Sequence, residues 1–151
     1  MIKHCEVVVR DDAIFVFGNT ETQPGVYLTG QPVTKLSRDV PPDDLGKTIL
    51  STLDAFQSGA KHPEGDQWKK FEQESLRGTG FGSWRKLSKG ARRVGVKREG
   101  DSIKVTPTAA DRRGGYSDLM DKALHVSSDP IEIGRAIQDA LQQCYEKWRL
   151  P

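Results

Sequence analysis

One amphipathic pattern occurs twice in the 151-residue chain, and it limits what the rest can fold into. The first copy runs from Pro41 to Phe56 and the second from Asp129 to Cys144. At constant spacing Pro42 meets Pro130, Leu45 meets Ile133, Gly46 meets Gly134 and Lys47 meets Arg135. Ile49 then meets Ile137, and Leu53 meets Leu141. Each copy predicts a helix with one apolar stripe: Leu45, Ile49, Leu53 and Phe56 in the first, and Ile133, Ile137, Leu141, Cys144 and Trp148 in the second. Pro42 and Pro130 suit a first helical turn, where a missing N–H leaves no bond unmade. Such stripes must be buried, and the segment before each helix supplies the surface.

Cys5, Val7 and Val9 alternate with Glu6, Val8 and Arg10, the period of a strand. Asp11-Asp12 makes a turn, Ala13 to Phe17 returns as a second strand, and Gly18 to Gly25 is a polar loop. Val26 to Thr29 reads as a third strand, and the first helix should stop near Ser58-Gly59. The plan repeats: strand Arg93–Lys97, turn Glu99–Asp101, strand Ser102–Thr106 ended by Pro107, a loop to Gly115, strand Lys122–Val126, and a last helix capped by Ser128 or Asp129. The expected fold is one α+β domain over residues 1–151, built from two βββα pseudo-repeats (about 4–59 and 91–150). They share an antiparallel sheet of about six strands, with both main helices on one face. The segment of about 60–90 has no counterpart, and the repeated frame closes its sheet without it. Within it, Gln67 to Leu76 predicts a short helix with Trp68, Phe71 and Leu76 on one side, and Ser83 to Ser88 another helical turn.

The residues speak against several functions. Gly78-Thr-Gly-Phe-Gly82 lacks the phosphate-loop pattern and follows no buried strand, so it reads as a hinge. His4, His62 and His125 stand apart, without metal-ligand spacing, and no nucleophile-elbow grouping occurs. Neither enzyme activity nor a metal or other cofactor is expected. Cys5 and Cys144 both fall on apolar stripes and read as buried free thiols of a reducing cytoplasm. No apolar run approaches the roughly 20 residues of a membrane span, and the N-terminus enters a strand pattern directly, so neither membrane contact nor a leader is expected.

Charge is more telling in its distribution than in its net value of +2. Trp84 to Arg98 carries Arg85, Lys86, Lys89, Arg92, Arg93, Lys97 and Arg98 with no acid. A small nucleic-acid-binding protein is the alternative this segment raises; the plainer reading is a solvated helical turn and a guarded edge strand. Acids gather elsewhere: Asp11, Asp12, Asp39, Asp43 and Asp44, then Glu64, Asp66, Glu72 and Glu74. Such a surface suits a basic protein partner.

Taken together, Gly82-Ser-Trp-Arg-Lys-Leu87, the hairpin ending Ile103-Lys-Val-Thr-Pro107, the Gly114-Gly-Tyr loop and Glu132 to Leu141 resemble the immunity proteins of bacterial contact-dependent growth inhibition (CDI) systems. The resemblance spans nearly the whole chain. It implies a small cytoplasmic protein that binds the cognate toxic C-terminal domain of a CDI effector, usually a nuclease, and neutralises it by covering its active or substrate site. Contact residues do not transfer by motif. The candidate toxin-binding set therefore comes from the insert: Glu64, Asp66, Trp68, Phe71, Glu72, Glu74, Trp84 and Arg85. Trp and other aromatic residues dominate interface hot spots, and acids complement the basic cleft a nuclease needs.

Overall fold

The computed structural model describes residues 1–149; residues 150 and 151, the end of the second unit as read from the sequence, lie outside it. The hairpin of β1 (Ile2–Arg10) and β2 (Ala13–Thr22) leads to β3 (Tyr27–Ser37) and helix α1 (Pro42–Asp54). A short β4 (Gln57–Ala60) and helices α2 (Gln67–Ser75) and α3 (Trp84–Ser88) follow. The second hairpin, β5 (Arg92–Glu99) and β6 (Ser102–Ala110), is followed by β7 (Tyr116–Asp118), β8 (Leu124–Ser127), α4 (Pro130–Gln143) and a two-residue β9 (Tyr145–Glu146).

The sheet runs β3-β2-β1-β5-β6, with β7 and β8 beside successive halves of β6. The two hairpins join antiparallel through β1 and β5, where Cys5 faces Val96, Glu6 faces Gly95 and Val7 faces Val94. On one side of this pair the order is β1-β2-β3 and on the other β5-β6, so a hairpin flanks the centre of the sheet on each side. The basic β5 is thus a central strand, not the edge strand its charge indicated.

Both stripes pack on the same face. Leu45, Ile49, Leu53, Ile133 and Ile137 are buried in one core with Cys5, Val7, Val9, Ile14, Val16, Val94, Val96, Ile103 and Val105. Where the helices meet, both aligned glycines are in use. A Cβ on Gly46 would lie against the carbonyl of Pro130, and one on Gly134 against the carbonyl of Pro42, each closer than the 3.0 Å that real Cβ atoms respect. The repeat of proline and glycine is therefore a reciprocal contact between helix backbones. Asp129 caps α4, its carboxylate accepting the Glu132 N–H at 3.0 Å.

Several boundaries differ from the sequence reading. Helix α1 stops at Asp54 rather than near Ser58, because the chain turns at Ala55 to bury Phe56 beside His4 and Tyr27 and then forms β4 along β2. Strand β3 begins at Tyr27 and continues to Ser37, past the expected end at Thr29. Pro107 does not end β6: the strand needs only its carbonyl, which accepts from the Leu119 N–H at 2.9 Å. Residues 120–122 form a 3-10 turn, which delays β8 to Leu124. Helix α4 ends at Gln143, so Trp148 leaves the stripe and is 37% exposed.

Leu141 is only half-buried, and Ala140 takes the inward position. Replacing Leu53 by Ala should cost about 2–5 kcal/mol in urea unfolding. Replacing Leu141 by Ala should cost clearly less, and equal losses would contradict this difference in burial.

The largest correction concerns the insert. Its residues Leu76 and Leu87, with Ala91 and the partly buried Phe81 and Trp84, pack on Val8, Phe15 and Phe17 on the face opposite α1 and α4. The paired helices cover only one face of the sheet, and the insert covers this second core on the other.

Candidate functional site

The insert is held rigidly on the sheet. Helix α2 lies on β3, and the Gln31 side-chain amide donates to the carbonyls of Glu74 at 3.0 Å and Arg77 at 3.2 Å. These bonds tie β3 to the end of α2, where the Glu74 carbonyl otherwise receives only the Arg77 N–H at 3.4 Å. The glycine segment forms a turn held by side-chain hydrogen bonds. Gly78 and Gly80 take positive φ, which glycine adopts without a Cβ clash. Between them the Thr79 hydroxyl donates to the Leu76 carbonyl at 2.7 Å and accepts from the Phe81 N–H at 3.1 Å. Helix α3 then starts on two acceptors. The Trp84 N–H donates to Glu72 Oε1 at 2.7 Å, and the Lys86 N–H to Ser83 Oγ at 3.2 Å.

This arrangement forms a cleft of about 430 Å³ between β3, α2 and α3. Trp68 and Phe71 form one wall, in edge-to-face contact at 6.2 Å, and Trp84 forms another, its ring 5.1 Å from Phe17. Tyr27, Leu28 and Thr29 of β3 and Lys69 and Glu72 of α2 add to the lining. Arg93 also lines it, donating to Glu6 Oε2 at 3.1 Å and Thr29 Oγ1 at 3.1 Å. Burial raises the Glu6 carboxyl above its ordinary pKa, and the Arg93 charge and hydrogen bond partly offset this. Trp68 and Tyr27 stay 42% and 43% exposed, which leaves apolar surface open at the mouth.

Of the eight candidate residues, the cleft brings together Trp68, Phe71, Glu72 and Trp84. Glu64, Asp66 and Glu74 are exposed, the first two in the approach to α2 and the third in its last turn. Glu72 differs from them, since its carboxylate is taken up by the start of α3. Trp84 is half-buried and serves the second core as well as the cleft. Arg85 lies apart, on a separate groove lined by Ser88, Lys89 and the loop of Arg112 and Arg113. Sequence reasoning missed Tyr27, Thr29 and Arg93. Tyr27 and Thr29 share a side of β3 by alternation, but only the strand order brings Arg93 to them.

The basic segment Trp84 to Arg98 does not form one surface. Arg98 turns to the helix side and pairs with Asp54, Arg92 donates to the Leu141 carbonyl, and Arg93 points to the opposite side. Among the described residues no group of three or more His, Cys, Asp or Glu side chains could hold a metal ion. Cys5 and Cys144 are free and buried, and burial raises both thiols above their ordinary pKa. No described helix is long and apolar enough to cross a membrane.

Solved structures share the fold. A protein of unknown function from Neisseria meningitidis superposes with a TM-score of 0.74 at 19% identity, covering 95% of this chain and 96% of that one. The CdiA-CT/CdiI toxin and immunity complex from Yersinia pseudotuberculosis contains a chain that superposes with a TM-score of 0.73 at 17% identity, covering 95% and 98%. No curated protein sequence matches the chain. The family model described as CDI immunity protein matches residues 3–144, nearly the full length. This chain therefore belongs to the CDI immunity protein family.

Proposed function

We propose that this protein binds the toxic C-terminal domain of its cognate CDI effector through the insert face and blocks the toxin's active or substrate site. It acts by occupancy and not by turnover, in the cytoplasm of the cell it protects, and the toxin is a nuclease. The observation that carries this reading is the aromatic cleft with acids in the segments around it. Trp68 and Tyr27 offer exposed apolar area on a rigid support, while Glu64, Asp66 and Glu74 are free of ion pairs among the described residues. Aromatic anchors of this kind dominate binding energy, and charges near them govern encounter rate and register. The toxin of the Yersinia complex is bound to a protein of the same fold, which supports a protein partner here.

The test separates these roles. Changing Glu64, Asp66 and Glu74 together to Lys should slow association with the cognate toxin domain, more at low salt than at high salt. Glu72 is left out because its loss would disturb α3. Trp68→Ala should instead speed dissociation, with a loss of about 2 kcal/mol or more in binding. Unaltered binding kinetics in both folded variants would remove the insert face from consideration.

A further inference from the structure

A second concave surface adjoins the insert across α3. It is a groove of about 770 Å³ between the end of α3, the β6–β7 loop and the segment after α4. Arg85, Lys89, Arg112 and Arg113 line it, and a smaller hollow that shares Gly90, Ala91, Ala110, Tyr116 and Glu146 with it adds Arg92. Among the described residues none of these five cations is in an ion pair. The loop carrying Arg112 and Arg113 is fixed by Asp111, whose carboxylate accepts the N–H groups of Arg113 at 2.8 Å and Gly115 at 2.9 Å. These bonds hold Asp111 below the ordinary carboxylate range, so it stays ionised as part of the loop's frame. The opposite wall is tied down by the Tyr116 hydroxyl, which donates to the Ser88 carbonyl at 3.1 Å. Arg85, Lys89 and Arg112 thus stand on a preformed support outside any ion pair, while Arg113 lies near Asp111 and Arg92 donates to the Leu141 carbonyl.

We infer that this groove is a second docking surface, which takes an acidic loop of the toxin. The inference rests on the toxin-binding reading and adds to it a site lined by cations. Arginine forks match carboxylates in geometry as well as charge. Single-stranded nucleic acid would want a row of open rings for its bases. Here the Tyr116 ring already lies under the Arg93 guanidinium at 5.5 Å, which leaves Trp148 as the exposed ring of the groove. Helix α3 also gives Trp84 to the cleft and Arg85 to the groove, so one partner lying across it meets an aromatic cleft of mixed charge on one side and a basic groove on the other. A basic groove beside an aromatic cleft fixes orientation and rejects partners without matching acids.

The test uses the full chain with Lys89→Glu, Arg112→Glu and Arg113→Glu combined, its fold checked by thermal unfolding. A second variant replaces the same residues by Gln. Association with the cognate toxin domain should slow about tenfold or more at low salt for the Glu variant and less for the Gln variant, with both differences shrinking at high salt. A labelled peptide of Asp and Glu should bind the wild type and neither variant. If the Glu and Gln variants associate normally while the acidic-insert variant is slowed, the groove inference falls and the toxin reading stands. If neither surface matters, both fall. Should a labelled single-stranded RNA bind through these residues while the acidic peptide does not, the groove is a nucleic-acid site and the inference is overturned.

Discussion

Gly134→Ala is expected to lose about 3 kcal/mol or more of unfolding free energy, against the sign of helix propensity. Alanine is the better helix former, and an unhindered Gly-to-Ala change inside a helix gains up to roughly 1 kcal/mol. Here the new methyl would enter the Pro42 carbonyl, a backbone group that cannot rotate away. The helices must separate, and the core shared by Ile49, Leu53, Ile133 and Ile137 loosens with them. Overpacking ordinarily costs about 1–3 kcal/mol, and a clash with backbone belongs at the upper end or beyond. Gly46→Ala should behave alike, through Pro130. The double variant should cost less than the sum, because separation forced by one methyl makes room for the other. Urea unfolding of the three variants decides the matter. A neutral or stabilised Gly134→Ala protein would mean that the helices do not touch as described.

Leu87→Ala is expected to cost about 2–5 kcal/mol, although Leu87 lies in a five-residue helix outside the repeated frame. Its side chain is fully buried, and with Leu76 and Ala91 it closes the core over Phe15 and Phe17. The same change should weaken toxin binding, since α3 carries Trp84 into the cleft and is held to α2 through Glu72. Chemical unfolding and toxin titration on one preparation give both numbers. If the insert were an appendage, stability would be unchanged and only local proteolysis would increase.

That second core was legible in the sequence, though it was not read there. Val7-Val8-Val9 and Ile14-Phe-Val-Phe17 are continuous apolar runs, which mark strands covered on both faces. Their counterparts Val94-Gly-Val96 and Ile103-Lys-Val105 alternate, which marks strands covered on one. The difference between the halves tells which half the insert covers. The helix stripes were read correctly at Leu45, Ile49, Leu53, Ile133 and Ile137, within α1 and α4, because a 3.6-residue period survives in any environment. Leu141 was misplaced because burial at one position passed to the smaller Ala140. In the candidate site, Trp68, Phe71 and Trp84 were accessible to sequence reasoning through helical spacing. Tyr27 and Arg93 were not, since 66 positions of chain separate them and only the order β3-β2-β1-β5 makes them neighbours. Arg85 was grouped with Trp84 by adjacency, yet neighbouring positions on a short helix face different surfaces.

The two apolar clusters on opposite faces of β1 and β2 have no side chain in common. The sheet therefore separates the core under the paired helices from the core under the insert, whose outer face is the one proposed to meet the toxin. Exposed positions of the insert can be exchanged without touching the glycine-locked helices behind it. A protein under pressure to follow a changing adversary gains from such a division, because recognition can drift from one generation to the next while the architecture that carries it stays in place.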